Sequence, residues 1–222
     1  MATVTAPIDT SVMPTVHTLF RREFRLAGGV VRRVADGDVR RAAVVAEHLE
    51  RIARVLHEHH TAEDELLWPK LLERVPEELA PIVHLMESQH GRVDALLTEI
   101  AELRPRWAAT AEAADRDRLA DLHDQLVVHL AEHLDAEEQE LLPIAARAVT
   151  EAEWEELGER ARRDQRRDEM ALIFGMIQHE GDPAVVRGML AEAPAPVRWL
   201  VPRLGRRAFR RHAQLIHGTA TP

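Results

Sequence analysis

Apolar residues recur at intervals of three and four through most of the chain, and nowhere is there a sustained alternation of two with β-branched enrichment. The pattern predicts an all-α protein. A first helix is expected from about Pro14 to Ala35, because proline is tolerated in a first turn and Asp36-Gly37-Asp38 is a turn signal. The second comes at once, with Val44, Val45, Leu49, Ile52, Leu56 and Leu66 on one face. It runs to about Arg74, with Pro69 a candidate kink, before Val75-Pro76-Glu77-Glu78 reads as a stop and a new acidic first turn. A third helix from about Glu77 is clear to Leu103, where Pro105 kinks or ends it, and a fourth spans about Asp115 to Val149. Four long helices with one apolar stripe each predict an up-down-up-down four-helix bundle over residues 14–149. Residues 1–13 read as a flexible N-terminus and residues 150–222 as a C-terminal helical extension packed on the bundle. In that extension the helical pattern holds from Glu151 to Gln178, Gly181-Asp182-Pro183 breaks it, and Pro194, Pro196 and Pro202 are expected to cut the remainder into short pieces.

Composition narrows the chemistry. The 222 residues carry a formal charge of −9, so no global positive field gathers nucleic acid or an anionic membrane surface. The absence of cysteine excludes disulfides, iron–sulfur clusters and thiol nucleophiles, and leaves any metal to histidine and carboxylate. The longest apolar stretch, Ala171 to Ile177 broken by Gly175, is far short of a membrane span, and the N-terminus has neither a basic head nor an apolar core. A cytoplasmic location is expected. From Pro194 onward there are six arginines (198, 203, 206, 207, 210 and 211) and no acid, so this tail is +6 against −15 for residues 1–193. Charge complementarity predicts that it folds back on the bundle, with Trp199, Leu200, Phe209 and Leu215 supplying apolar contacts.

The 13 histidines are placed rather than scattered. The block LHEHHTAEDELLWP (Leu56 to Pro69) aligns without gaps to LAEHLDAEEQELLP (Leu130 to Pro143), with seven of fourteen positions identical at an offset of 74. Upstream of each block lies one further histidine at matching distance, His17 being 42 residues before His59 and His90 being 43 before His133. The chain thus reads His, then His-x-x-x-Glu, twice. Residues i and i+4 share a helix face, so His59 with Glu63 and His133 with Glu137 each present an imidazole and a carboxylate in one direction. Their spacing from Ile52 and Leu56, and from Leu126 and Leu130, makes that direction inward, where an unpaired carboxylate costs several kcal/mol or neutralises.

Helix arithmetic at about 1.5 Å per residue tests whether these side chains can meet. His17 lies roughly 27 Å before the first turn and His59 roughly 31 Å after it; Glu63 and His90 both lie about 20 Å from the second. His90 is about 20 Å before the end of the third helix and His133 about 27 Å after the start of the fourth, a difference that an eleven-residue connection can absorb. Four imidazoles and two carboxylates at one height inside a bundle predict a dinuclear metal site in which Glu63 and Glu137 bridge and each metal takes two histidines. That donor set suits Fe, Mn, Zn or Cu, and paired bridging carboxylates favour iron.

The order His17, His59-x-x-x-Glu63, His90, His133-x-x-x-Glu137, with its E-D/E-x-x-L-x-P trailers, resembles the hemerythrin-like (HHE cation-binding) family over about residues 14–149, in its bacterial H-HxxxE-H-HxxxE form. The resemblance implies a centre of two non-haem iron ions, oxo- or hydroxo-bridged, with His17, His59, His90 and His133 as terminal ligands and Glu63 and Glu137 as bridges. It also implies a small-molecule ligand: peroxide, O2 or nitric oxide. One departure is Met86, which stands where the oxygen carriers of the family have an extra histidine one turn before the third-helix ligand. A more open second iron would weigh against simple reversible O2 carriage. The function expected is therefore binding of, or reaction with, a small ligand at open iron positions, with peroxide disproportionation as the enzymatic form and a non-enzymatic O2, nitric oxide or iron sensor or store as the alternative.

Other histidines carry weaker signals. His129, one turn before His133, is a candidate seventh ligand, although its repeat counterpart is Val55. His60 competes with His59 for the ligand role, but the repeat pairs it with Leu134 and so favours His59. Glu58 and Glu132 precede the ligands in both copies and read as groups supporting the ligands or lying on the surface. His48, His57, His84, His123, His179, His212 and His217 have no matched spacing and read as surface or boundary residues. Trp68 and Phe20 are expected to wall the site.

Overall fold

The computed structural model describes residues 7–222, and the side chains of all of these except Pro76, Glu78 and Leu79. Part of the expected flexible N-terminus, residues 1–6, lies outside them; within the rest, the Ile8 N–H donates to Ala146 O at 2.9 Å and Met13 is buried. The fold is all-α, an up-down-up-down bundle with further helices packed on it, and no strand occurs among the described residues.

The first bundle helix is α1 (Val12–Arg32). The second is built in three pieces: α2 (Val39–Ala62), a π-helical turn (Glu63–Leu67) and α3 (Trp68–Arg74). The third is α4 (Pro76–Thr110), and the fourth repeats the plan of the second as α5 (Ala113–Ala136), a π-helical turn (Glu137–Leu141) and α6 (Leu142–Ala148). Asp38 caps α2 by accepting from Arg41 N at 3.0 Å.

Each π turn sits between the repeated glutamate and the repeated proline. An α-helical proline lacks an N–H and crowds the carbonyl four residues back, and widening the preceding turn by one residue relieves that crowding. The Trp68 N–H accordingly reaches Glu63 O and the Leu142 N–H reaches Glu137 O, five residues back in each case. The extra residue also rotates the helical segment beyond the turn. Leu67, not the expected Leu66, occupies the core there, and Leu66 is half-buried.

The third helix neither stops at Leu103 nor breaks at Pro105. Pro81 and Pro105 both stand on its solvent face, where water can satisfy the carbonyls left without a partner, while Leu103 and the fully buried Trp107 hold the helix to the core on either side of Pro105. The stop is Ala111, in the left-handed conformation at φ 53°, whose N–H returns to Trp107 O at 2.7 Å. With two residues in the connection instead of eleven, His90 lies twenty residues before the end of α4 and His133 twenty after the start of α5, so the expected height difference disappears.

The extension comprises α7 (Glu151–Arg163), α8 (Met170–Glu180), α9 (Pro183–Gly188) and α10 (Ala195–His217). Thr150 and Glu153 form a capping box at the start of α7. In the α7–α8 connection, which interrupts the single helix expected from Glu151 to Gln178, Glu169 accepts from Arg51 Nε at 2.7 Å and from Arg54, tying it to α2. Helix α10 is one 23-residue helix and not the expected short pieces, since Pro196 falls in its first turn and only Pro202 is interior.

Charge does not seat α10. All six of its arginines point to solvent, as do Trp199, Leu200 and Leu215; Phe209, Ala213 and Ile216 are the buried contacts. The helix crosses α8 at Gly175 and Gly205, so closely that a Cβ on Gly175 would collide with the Gly205 carbonyl. No helix among the described residues is long and apolar enough to cross a membrane. Because backbone opposes the added methyl, Gly175→Ala should destabilise the protein by about 1–3 kcal/mol, read as a fall of several degrees in the midpoint of thermal unfolding, while leaving metal content per folded chain unchanged. An unaltered midpoint would show that the α8–α10 crossing contributes little to stability.

Candidate metal centre

The bundle core is divided. A larger apolar cluster, including Phe24, Leu49, Ile52, Leu126 and Trp107, fills the end near the α4–α5 connection, and a smaller one, including Met13, Leu71, Met86, Leu141 and Leu157, fills the other. Between them lie His17, His59, Glu63, His90, His133 and Glu137, none more than 7% exposed. All six predicted site residues are therefore brought to one level.

They form two halves. On one side His17 Nε2 stands 3.2 Å from His59 Nε2 and 3.4 Å from Glu137 Oε2, and His59 Nε2 stands 3.2 Å from Glu63 Oε1. On the other, His90 Nε2 is 3.2 Å from His133 Nε2 and 3.8 Å from Glu63 Oε2, while His133 Nε2 is 3.9 Å from Glu137 Oε2. Adjacent ligand atoms held about 2.1 Å from one ion at right angles stand about 3 Å apart, so these separations are those of donors facing a common cation. Each glutamate turns one or both oxygens to both halves.

The partners behind the imidazoles follow the repeat with its halves exchanged. His17 Nδ1 bonds Glu138 Oε1 at 2.8 Å, and His90 Nδ1 bonds Asp64 Oδ1 at 3.0 Å. Asp64 also accepts from Trp68 Nε1 at 2.8 Å, and Glu138 from Arg21 at 3.0 Å. Bonding at Nδ1 fixes the ring so that Nε2 faces the centre. These supporting carboxylates are not Glu58 and Glu132: Glu58 pairs with Arg160 at 3.2 Å, and Glu132 is exposed beside His129. The signal that identifies Asp64 and Glu138 was present in the sequence as the acidic residue directly after the inward glutamate in both copies.

His60 is the residue the repeat argued against. It is 3% exposed, neither ring nitrogen has a hydrogen-bond partner, and its ring stacks on His90 with centroids 4.2 Å apart. Donor atoms of His60, Glu63, His90 and His133 lie within 4.8 Å of one another, as do those of His17, His59, Glu63 and Glu137. His59 and His60 therefore lie in opposite groups. The His129 side chain is 38% exposed, lies 3.6 Å from Glu132 and belongs to neither group. Phe20 and Trp68 do wall the centre, with ring centroids 5.1 Å from His59 and 6.0 Å from His90. Two histidines read as surface or boundary residues are in fact core: His48 is fully buried, and His123 is 1% exposed beside Phe24.

Electrostatics sharpen the arrangement. Burial and the neighbouring Glu137 push Glu63 well above the usual carboxylate range, and burial raises Glu137 as well. Burial holds His59 and His60 well below the ordinary imidazole value and His133 down to about 2, so these rings are neutral with lone pairs free for a metal. No oxygen of Glu63 or Glu137 has a hydrogen-bond partner among the described residues. Buried carboxylates without donors, ringed by imidazoles, fit a cation and little else.

The hemerythrin HHE cation binding domain, as a family model, matches residues 9–145. The chain belongs to this family. The match spans the bundle from just before the start of α1 into α6 and leaves the extension outside it. Comparison with curated proteins and with solved structures finds no significant match. The domain of this family is a metal cation-binding one, and the two buried His/Glu groups are consistent with that role.

Two outcomes are expected. Burial keeps His59, His60 and His133 toward the neutral form and raises Glu63 and Glu137 above the usual carboxylate range, so metal uptake should displace protons from the glutamates and tighten as pH rises; calorimetry in buffers of different ionisation enthalpy measures the number released, and a buffer-independent heat would contradict the assignment. Asp64→Ala or Glu138→Ala should lower metal affinity about 10–100-fold without unfolding the protein, measured by competition with a chelator.

Proposed function

We propose that this hemerythrin-family chain holds two iron ions and uses them to bind and turn over a small ligand, with hydrogen peroxide as the substrate. The observation that carries the reading is the pair of buried, unpartnered carboxylates, Glu63 and Glu137, set between two groups of imidazoles. In this reading Glu63 and Glu137 would be shared by the two metals, with His17 and His59 available to one and His90, His133 and His60 to the other, so that His60 would supply from α2 the imidazole that Met86 does not supply from α4. Iron accords with a mixed imidazole and carboxylate donor set free of thiolate.

A pair of irons supplies a reversible two-electron couple, which is what peroxide requires in each half of its disproportionation to water and O2. The chain's own residues set the conditions. Asp64 and Glu138 hold His90 and His17 in the ring orientation that binding needs. Phe20, Trp68 and the apolar clusters on either side keep bulk water away, and donors that are at most 8% exposed admit only a ligand of a few atoms. Arg21 and Arg160 pair with Glu138 and Glu58 on the outer side of the site, and the positive charge of Arg21 helps to hold His133 neutral.

The test is iron content and the optical spectrum of aerobically purified protein, together with O2 evolution on addition of peroxide. About two irons per chain and sustained O2 evolution are expected; a single metal or a zinc-only protein would refute the di-iron reading, and a reversible oxygenated spectrum without O2 evolution would make the protein a binder instead of an enzyme. Glu63→Ala and Glu137→Ala should each abolish the coupled pair, whereas His17→Ala and His60→Ala should each leave one metal well occupied. Retention of both irons by His60→Ala would remove His60 from the ligand set while leaving the two-iron reading intact.

A further inference from the structure

A second group of metal-binding side chains lies outside the family domain's centre, where the C-terminal helix meets the bundle. Glu23 of α1, His48 of α2 and His217 at the end of α10 bring one donor atom each within 4.8 Å of the others. Glu23 and His48 are fully buried, and the His217 side chain is 3% exposed. Glu23 Oε2 stands 3.5 Å from His48 Nε2 and 3.3 Å from His217 Nε2. None of these three atoms has a hydrogen-bond partner among the described residues.

The distances discriminate between two explanations. A hydrogen bond from an imidazole to a buried carboxylate is short, about 2.7–2.9 Å when either partner is charged. Two ligand atoms on a tetrahedral ion, each about 2.0–2.1 Å from it, stand about 3.3–3.4 Å apart. The separations found here are those of the second case. The other atoms of the three residues are engaged so that these three are left facing one point. Glu23 Oε1 accepts from Arg22 Nε at 2.8 Å, and His48 Nδ1 bonds His212 Nε2 at 3.0 Å, the kind of outward contact that orients a metal-binding imidazole. Arg41 donates from both terminal nitrogens to Leu215 O and Ile216 O, fixing the last turn of α10 and His217 with it.

We propose that Glu23, His48 and His217 form a second metal site, of the two-histidine, one-carboxylate type, that takes a single zinc-class divalent cation and pins the C-terminal helix to the bundle. Each ligand comes from a different helix, so the ion joins α1, α2 and α10 at one point. Arg22, whose charge is shared among Glu23, Glu180 at 3.3 Å and Met176 O at 2.9 Å, lowers the negative field there and makes the site moderate in affinity. The role is structural: with one oxygen on Arg22 and the rings enclosed, little room remains for a substrate.

The experiment is zinc uptake by the full-length protein as purified, compared between wild type and His217→Ala, with zinc and iron both counted by mass spectrometry after dialysis against buffered zinc. His217 lies at a helix terminus, so its loss is compatible with folding, and His217→Gln repeats the test with less change of shape. Wild type should take up one more zinc per chain than either variant, with equal iron in all three. Loss of a direct ligand should weaken that zinc by more than the roughly 10–100-fold that accompanies loss of an outer partner. Zinc should raise the thermal midpoint of wild type alone. Equal zinc in wild type and variants, or zinc gained only as iron is lost, would overturn the proposal and leave the three residues as a hydrogen-bonded cluster.

Discussion

Two carboxylates buried side by side without a donor are the constraint around which this bundle is arranged. Glu63 and Glu137 are fully buried, and burial drives both toward the protonated form. A core that had to keep such a pair neutral would gain from replacing it with leucine, because unsatisfied buried polar groups cost about 1–3 kcal/mol each. The rest of the site makes sense as a response to that cost. Imidazoles surround the pair, and carboxylates on the outer side of two of those rings fix their orientation. The negative charge missing from the core is thus restored one layer out, at Asp64 and Glu138, where solvent can reach it. A cation at the centre is the remaining element that lets both glutamates ionise, and its binding free energy is then also folding free energy.

The π turns show how backbone and site were fitted to one another. An ordinary helix places His59 and Glu63 on one face but carries the same face onward to Leu66 and then into the ring of Pro69. Widening the turn directly after the glutamate leaves the His-x-x-x-Glu pair undisturbed, accommodates the proline, and rotates the next segment so that Leu67 and Leu71 close the core beneath the centre. The same device recurs at Glu137, Leu141 and Pro143, so the two halves are related in backbone as well as in sequence. The equal spacing between glutamate and proline in the two copies thus goes with the same π turn in both.

Much of this was legible because the duplication repeats the chemistry. Six donors, their common height and the bundle itself emerged from periodicity and from one internal alignment. Asp64 and Glu138 were visible in both copies yet passed over for Glu58 and Glu132, and the other features that escaped it lack a counterpart in the other half. His60 faces Leu134 in the repeat, yet helix geometry places neighbours 100° apart, and in a crowded core that is enough for His59 and His60 to reach opposite halves. The prolines misled for a different reason: their positions are visible in the sequence, but the side of the helix that faces water is not, and Pro81 and Pro105 are harmless because they are exposed. His48 and His123 have no periodic partner, and their burial is decided by helices that pack on them from elsewhere in the chain.

The C-terminal extension illustrates why net charge is a poor guide to docking. A +6 tail opposite a −15 remainder suggests attraction, but ion pairs between exposed side chains gain at most about 1 kcal/mol each and are screened by salt. Contact between helices at two glycines excludes water from both backbones, buries Phe209, Ala213 and Ile216, and leaves no room for a Cβ on Gly175. Packing therefore decides where α10 lies, and its arginines take the side that remains. Around Glu23, His48 and His217 the extension meets the bundle through buried polar groups, so there the same electrostatic argument applies as at the main centre. Charges that would be nearly worthless on the surface become demanding once water is removed, and a buried carboxylate facing two imidazole nitrogens has to be answered either by protons or by a cation.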